Sequence, residues 1–286
     1  MSRILQLLSG WFTAATGFVL LRRTGHRYAD ARRAFDYIGR SSGFQPLKVV
    51  DIGAHKGGFA REWLRARPQD SLLCIEANPA LKEEFWRTVA HSLHVRLHSL
   101  AIAESNGMSQ FNVCHSTATS SLLKPSDTAP TEYLQAMKVT HVRDTPCETL
   151  DHFMAMEGLQ RVDVIKMDVQ GGEASVLRGG RKAFSGASYV ICELQFRALY
   201  DSAGTAESLI TSLKEHGFHL VMLFDLNYCR TGELIWADGL FARDRAISRE
   251  DPMTSNECAA STDSEASSQM LSASSQSVAV GSFTCP

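Results

Sequence analysis

Apolar residues form short, nearly continuous runs along the chain, and these runs alternate with stretches of helical periodicity. Such runs are typical of strands that are buried on both faces of a sheet. The pattern predicts strands at 48–52, 71–75, within 95–102, 110–113, 162–167, 189–194, 218–224 and 239–242. It predicts helices at 29–38, 58–66, from 79, at 149–156, 173–177 and 207–216. Because strands and helices alternate, we expect an α/β fold with a Rossmann-like, doubly wound, mostly parallel sheet of seven strands.

The middle of the chain breaks this pattern. Between residues 114 and 146 the periodicity is weak, and Ser, Thr, Pro and Asp dominate the first half. A long irregular segment inside a compact domain is often a functional lid. We therefore predict a loop that closes over a site, with His115 and His141 as second candidates for a base.

The two ends of the chain differ from its centre. We predict an N-terminal helical segment at 1–45, one main domain at 46–250 and a disordered, Ser-rich tail at 251–286. The apolar run 4–21 is about long enough to cross a bilayer, but polar residues and glycines dilute it. This composition favours an amphipathic or partly buried helix and leaves a peripheral membrane contact open.

Charge and cysteine content narrow the class of protein. The net charge is −2 with a pI near 6.6, so no broad basic face for nucleic acid is expected. The basic run 22–33 is interpreted as a solvated helix face. The seven cysteines form no C-x-x-C pair, which argues against a disulfide framework or a zinc site and favours a reducing, cytoplasmic location.

The first candidate site follows the first strand. Residues 51–57 read D-x-G-x-x-x-G, in which Gly53 and Gly57 allow close approach of a ligand. The dinucleotide fingerprint needs a glycine where this chain has His55, so a pyrophosphate would fit poorly. S-adenosylmethionine carries no phosphate, and its cationic amino end would suit Asp51. A plain glycine turn is the alternative reading.

The second candidate site follows the second strand. Glu76 lies about 20 residues past the glycine loop, where an acidic side chain can accept hydrogen bonds from both hydroxyls of a ribose. The predicted cofactor-binding residues are Asp51, Gly53, Ala54, Gly57, Glu76, Ala77 and Asn78.

The third candidate site follows the strand at 162–167. Asp168 emerges where a transferable methyl group should lie, and it could take the proton of a hydroxyl acceptor. Lys166 would hold Asp168 by charge, and Glu193 would be a partner carboxylate; simple ion pairing or capping is the alternative for both. Asp168 could also serve as a hard-cation ligand, so Mg²⁺ stays open, although no metal site is predicted.

These segments resemble the FkbM family of methyltransferases. The matching stretches are 49–57, 75–79, 149–151 and 163–179, and the pattern continues through Glu193, 199–200 and 217–218. The resemblance covers about residues 48–243, and the stretch 163–179 is its most specific part. It implies a class I methyltransferase fold and O-methylation of a sugar or polyketide-type product, with 119–123 in a loop over the site. Gln170 replaces an acidic residue seen in many members, so we do not count it as a catalytic carboxylate.

The sequence therefore predicts an S-adenosylmethionine-dependent O-methyltransferase acting on a hydroxyl of a sugar, glycan or secondary metabolite. Catalysis is expected from Asp168, Glu193 and Lys166. Two alternatives stay open: methylation of protein or RNA, and a scaffold that binds S-adenosylmethionine without catalysis. Binding to nucleic acid would weaken steeply with salt, so the salt dependence of substrate binding would distinguish methylation of RNA from the other possibilities.

Overall fold

The computed structural model describes residues 31–244. Its helices are α1 (Arg32–Ser41), α2 (Gly58–Ala66), α3 (Lys82–Thr88), α4 (Thr131–Met137), α5 (Leu150–Met156), α6 (Glu173–Gly179), α7 (Arg181–Gly186) and α8 (Ala206–Glu215). Its strands are β1 (Lys48–Ile52), β2 (Ser71–Ile75), β3 (Val95–His98), β4 (Ala101–Ile102), β5 (Gly107–Cys114), β6 (Val139–Glu148), β7 (Val164–Met167), β8 (Tyr189–Gln195), β9 (Phe218–Tyr228) and β10 (Leu234–Arg243). Short 3-10 turns cover Pro79–Leu81 and Thr117–Thr119.

A seven-stranded sheet dominates the described part of the chain, in the order β3-β2-β1-β7-β8-β10-β9. Neighbours from β3 to β8 are parallel, whereas β10 is antiparallel to both β8 and β9. The predicted doubly wound, mostly parallel fold is confirmed. The strand order reverses between β1 and β7, so this point is the topological switch where ligands of such sheets bind.

Successive side chains of the buried strands lie on opposite faces of this sheet, so they pack into two apolar layers, one on each face. Val50 of β1 packs with α5, α6, α7 and α8, whereas the preceding Val49 packs with α1, α2 and α3. Every residue of β7 and of β8 is buried, as expected for central strands that are covered on both faces. The helices thus hold the carboxyl ends of β1, β2 and β7 in fixed positions.

The predicted irregular segment at 114–146 is largely wrong. It contains α4 and most of β6, and β6 joins β4 and β5 in a three-stranded sheet within residues 31–244. Most residues of β6 are exposed or half-buried on both faces, so the strand shows no apolar alternation that could reveal it. The irregular stretch that remains runs from 115 to 130, interrupted by the turn at Thr117–Thr119.

Several predicted boundaries also change. The single strand expected within 95–102 is two strands, because β3 belongs to the large sheet and β4 to the small one. The antiparallel pair β9 and β10 extends beyond the predicted 218–224 and 239–242, since it continues as a hairpin at the sheet edge with many exposed positions on β9. The helix predicted at 29–38 is observed at Arg32–Ser41, so it ends three residues later than predicted, and residues 29–30 lie outside the described residues.

Other predictions concern parts that are described incompletely. The segment 4–21 and the tail 251–286 lie outside the described residues, so both stay predictions. Between residues 31 and 244 no helix is long and apolar enough to cross a membrane. The cysteines in this range are free thiols: Cys74, Cys114, Cys147, Cys192 and Cys229.

Candidate active site

A cavity of about 720 Å³ opens at the switch point of the large sheet. It lies between the carboxyl ends of β1, β2 and β7 on one side and the segment 117–123 with part of the small sheet on the other. Five of the residues that were predicted for the site line it: Gly53, Ala54, Glu76, Ala77 and Asp168. The other five lie behind its wall.

The loop after β1 depends on its glycines for steric reasons. Gly53 has φ +79°, and a Cβ there would lie 1.9 Å from the backbone oxygen of Asp168. Gly57 has φ +78°, and its Cβ would lie 3.0 Å from the ring of Phe85. Gly57 therefore shapes the start of α2 and does not itself line the cavity. His55 occupies the left-handed region with φ +49°, at the place where a dinucleotide fingerprint has glycine.

Glu76 is held rigidly at the end of β2. Its Oε2 accepts the backbone N–H of His55 at 2.7 Å, and its Oε1 accepts the backbone N–H of Asn78 at 2.7 Å. Burial raises the pKa of Glu76, and these two hydrogen bonds oppose the rise. Each carboxylate oxygen keeps a second lone pair for a ligand hydroxyl. Asn78 was predicted to touch the cofactor, but it positions Glu76 and accepts the N–H of Ala80 at 3.1 Å.

Asp51 has a different position from the one predicted. Its side chain is completely buried behind the glycine loop, where Oδ1 lies 3.0 Å from Nζ of Lys166. The same ammonium group donates to the backbone oxygen of Gly53 at 3.0 Å. Burial raises the pKa of Asp51, and the nearby Lys166 lowers it. Asp51 thus acts on the glycine loop through Lys166, because the side chain points into the core layer and away from the cavity.

Asp168 is the carboxylate at the end of β7 that reaches the cavity wall. Its Oδ2 lies 3.7 Å from Nζ of Lys166, as the sequence predicted, and its Oδ1 accepts a hydrogen bond from Nε2 of Gln170 at 2.7 Å. Glu193 is 2% exposed and lies behind this pair, where Gln170 donates to Oε1 at 3.2 Å and Oε2 at 3.1 Å. Glu193 and Lys166 therefore surround Asp168 without lining the cavity themselves.

Sequence reasoning missed Gln170 and Tyr200. The hydroxyl of Tyr200 lies 2.8 Å from Oε1 of Gln170 and 2.9 Å from the backbone oxygen of Thr119. Burial raises the pKa of Tyr200 well above its ordinary value, so the phenol remains a donor. The available signals were the place of Gln170 two residues after Asp168, inside the family stretch 163–179, and the place of Tyr200 in the matching pair 199–200. Tyr200 lies 30 residues further along the chain.

The remaining wall is contributed by the segment 117–123 and by α2. Nε2 of His55 lies 2.8 Å from Oγ1 of Thr117, which joins the glycine loop to the opposite wall. Arg61 and Arg65 reach the rim, and both pair with Glu62. The alternative bases His115 and His141 are exposed and lie outside the cavity. Among residues 31–244 no group of three or more His, Cys, Asp or Glu residues is placed to hold a metal ion.

Comparison with known families shows the family to which the chain belongs. A family profile described as "Methyltransferase FkbM domain" matches residues 51–220, more than half of the chain. The chain belongs to the FkbM methyltransferase family. The match includes the ends of β1, β2 and β7, so the cavity lies inside the family domain. The resemblance expected from the sequence is confirmed.

Curated relatives of this FkbM methyltransferase are also methyltransferases by name. The 2-O-methyltransferase NoeI of Sinorhizobium fredii is 26% identical over 181 residues, which cover 62% of this chain and 74% of NoeI. Methyltransferase 1 of Beauveria bassiana is 25% identical over 183 residues, covering 59% of this chain and 71% of the relative.

Solved structures with some likeness to the FkbM chain include a putative RNA methyltransferase, PH1948 from Pyrococcus horikoshii. That structure is 14% identical with a TM-score of 0.42, covering 77% of this chain and 84% of the other. The N-methyltransferase NodS from Bradyrhizobium japonicum is 12% identical with a TM-score of 0.41, covering 74% of this chain and 94% of the other. The family assignment rests on the profile match.

The cofactor of this FkbM methyltransferase is S-adenosylmethionine, and the cavity fits it. Glu76 offers two fixed oxygens with spare lone pairs that would suit ribose hydroxyls, and Asp168 is a carboxylate on the cavity wall that would suit a cationic sulfonium. His55 stands where the dinucleotide fingerprint has a glycine, so a pyrophosphate would fit poorly against this loop. The wall at Gly53 and Ala54 brings backbone close to any bound ligand.

Proposed function

We propose that this methyltransferase transfers a methyl group from S-adenosylmethionine to a hydroxyl of a sugar, glycan or secondary metabolite. The position of Asp168 carries the proposal: it is a carboxylate on the cavity wall, at the switch point, held by Lys166 from behind and by Gln170 beside it on the same wall. The likeness to a protein named 2-O-methyltransferase supports a hydroxyl acceptor.

The chain's own residues would divide the work between binding and proton transfer. S-adenosylmethionine supplies an electrophilic methyl group on a sulfonium. Asp168 would orient the acceptor hydroxyl and take its proton as the new oxygen–carbon bond forms, while the sulfur–methyl bond of the cofactor breaks and S-adenosylhomocysteine leaves. Lys166 keeps Asp168 ionised before the reaction, because its ammonium lies 3.7 Å from that carboxylate. The walls at 117–123 hold the acceptor in line and keep out water, and such positioning can supply about 7–11 kcal/mol.

Cofactor binding is divided in the same way. Gly53, Ala54, Glu76 and Ala77 would touch the cofactor, since they line the cavity. The other three predicted residues, Asp51, Gly57 and Asn78, would shape the two loops that carry those contacts. Mg²⁺ bound at Asp168 is another way of holding a hydroxyl, and it predicts that a chelator abolishes transfer. We assign 46–250 to the catalytic domain, place the protein in the cytoplasm and expect no nucleic-acid partner.

Methyl transfer can be measured with S-adenosylmethionine labelled in its methyl group and a panel of mono- and oligosaccharides. Label should appear on a hydroxyl oxygen of at least one acceptor. D168N should lower the rate about 10²–10⁴-fold, the usual contribution of a general base. The control is E215Q, which changes an exposed carboxylate at the end of α8 and should leave the rate unchanged.

Three results would overturn this proposal. Label on RNA or protein, and on no sugar, would favour the other substrate classes. Methyl transfer by D168N at the wild-type rate would show that Asp168 is not the general base. A chain that binds the cofactor and transfers label to no acceptor of any class would be a scaffold.

A further inference from the structure

Gln170 lies on the cavity wall beside Asp168 and is the centre of a buried hydrogen-bond network. It is 7% exposed, and its amide nitrogen donates to Asp168 at 2.7 Å and to Glu193 at 3.1 and 3.2 Å. Its amide oxygen accepts from the hydroxyl of Tyr200 at 2.8 Å. These partners fix which end of the amide faces the carboxylates. Tyr200 itself is 1% exposed, and its one hydroxyl hydrogen is shared between this amide oxygen and the backbone oxygen of Thr119.

The amide of Gln170 lies between two neighbouring carboxylates, those of Asp168 and Glu193. The amide nitrogen of Gln170 lies 2.7 Å from Oδ1 of Asp168 and 3.2 Å from Oε1 of Glu193, so these two oxygens are at most 5.9 Å apart. Two buried carboxylates at such a distance repel, and one of them normally becomes protonated. A neutral amide has two N–H groups, so it can satisfy one carboxylate with each and leave both charged.

The backbone at this position is strained. Gln170 has φ +57°, in the left-handed region that a residue other than Gly, Asn or Asp rarely adopts. Such a conformation costs roughly 1–3 kcal/mol and persists where the surroundings demand it. Glycine would relieve the strain but would remove the amide. The backbone oxygen of Gln170 also accepts from Oγ of Ser121 at 2.8 Å, which ties the residue to the opposite wall.

We propose that Gln170 is the positioning residue of this site: its amide keeps Asp168 and Glu193 separately charged and aims Asp168 into the cavity. The role rests on the proposed function, in which Asp168 accepts the acceptor's proton. It also assigns a purpose to the residue that stands where many family members have an acidic one. An acid at this place would bring a further negative charge and remove both N–H donors.

The charges around Asp168 come from several elements. Lys166 on β7 and Asp51 on β1 lie on one side. The groups that face Asp168 from the other elements are Glu193 on β8, Glu173 on α6 and the phenol of Tyr200. With a single lysine among these carboxylates, the uncharged donors of Gln170 add to the stabilisation that Lys166 gives to the charged form of Asp168.

The proton affinity of Asp168 can be measured directly in the whole protein without any acceptor. Aspartate labelled with ¹³C at its side-chain carboxyl gives one resonance per residue, and D168N identifies that of Asp168. In Q170L the protonation midpoint of Asp168 should rise by about one pH unit or more, the usual effect of a neighbouring like charge. Q170N should show the same rise, because its amide is one methylene shorter and cannot reach both carboxylates.

Gln195 offers a matched control. It is another buried glutamine, and its Nε2 donates to Glu193 at 3.2 Å, although no bond joins it to Asp168. Q195L should therefore leave the midpoint of Asp168 unchanged. Q170N tolerates left-handed backbone, so it keeps the test decisive if Q170L does not fold. A midpoint that stays at the wild-type value in folded Q170N overturns the inference, whatever the methyl-transfer assay shows.

Discussion

Glu173 should make the protein less stable as pH rises. Its side chain is 4% exposed at the start of α6, where Oε1 accepts the backbone N–H of Val169 at 3.0 Å. Burial, together with the negative charge of Glu193, raises the pKa of Glu173 from 4.5 to about 8. The native state therefore holds a proton that the unfolded chain has already lost. Stability from this proton is complete below pH 4.5 and is lost as pH rises through about 8.

The size of this effect follows from the shift. One pKa unit corresponds to about 1.4 kcal/mol, so a rise from 4.5 to about 8 removes about 5 kcal/mol of unfolding free energy above pH 8. At pH 7 the loss is about 3 kcal/mol by the same reasoning. E173Q keeps an acceptor oxygen for the N–H of Val169 and stays neutral at every pH. It should match the wild type within about 1 kcal/mol at pH 5 and exceed it by about 5 kcal/mol at pH 9.

Urea unfolding of the full chain at pH 5, 7 and 9, followed by circular dichroism, measures this difference. The control is E104Q, because Glu104 is an exposed carboxylate whose ion pair with Arg178 lies at the surface. Such a pair contributes less than about 1 kcal/mol, so E104Q should show no comparable dependence on pH. A gap between E173Q and the wild type that is the same at pH 5 and pH 9 would refute the reasoning.

Two further substitutions test the support behind the cavity. K166M should destabilise the fold by about 3–5 kcal/mol, because it leaves Asp51 charged in the core. This loss of stability should be smaller at low pH and in the K166M/D51N double variant. Equal stability of K166M and the wild type would contradict the buried ion pair. G53A should abolish S-adenosylmethionine binding in calorimetry, since its Cβ would meet the backbone oxygen of Asp168 at 1.9 Å. G158A is its matched control, with φ +66° and nothing within 4 Å of the added Cβ; similar losses in both variants would show that backbone strain alone is responsible.

The sequence predicts the large sheet well because its strands are buried on both faces. The runs at 48–52 and 71–75 match β1 and β2 residue for residue. Ligand positions then follow from the rule that parallel strands present their carboxyl ends at one edge. Glu76 and Asp168 were found in this way, since each directly follows such a strand.

The small sheet and the network behind Asp168 were not predictable by the same means. β6 is exposed on both faces along most of its length, so it carries no apolar period. Gln170 and Tyr200 are 30 residues apart and meet only when the chain folds, so no local pattern joins them. The contact of Asp51 with the cofactor stays a prediction: Asp51 is buried one residue before the end of β1, where periodicity alone does not reveal its pairing with Lys166.

The most direct test of the account is titration calorimetry of the purified chain with S-adenosylmethionine and, separately, with NAD. The wild type should bind one S-adenosylmethionine and no NAD, because Glu76 accepts ribose hydroxyls while His55 leaves no room for a pyrophosphate. E76A should lose this binding and remain folded. Failure of the folded wild type to bind S-adenosylmethionine, or unchanged affinity in E76A, would contradict the central claim.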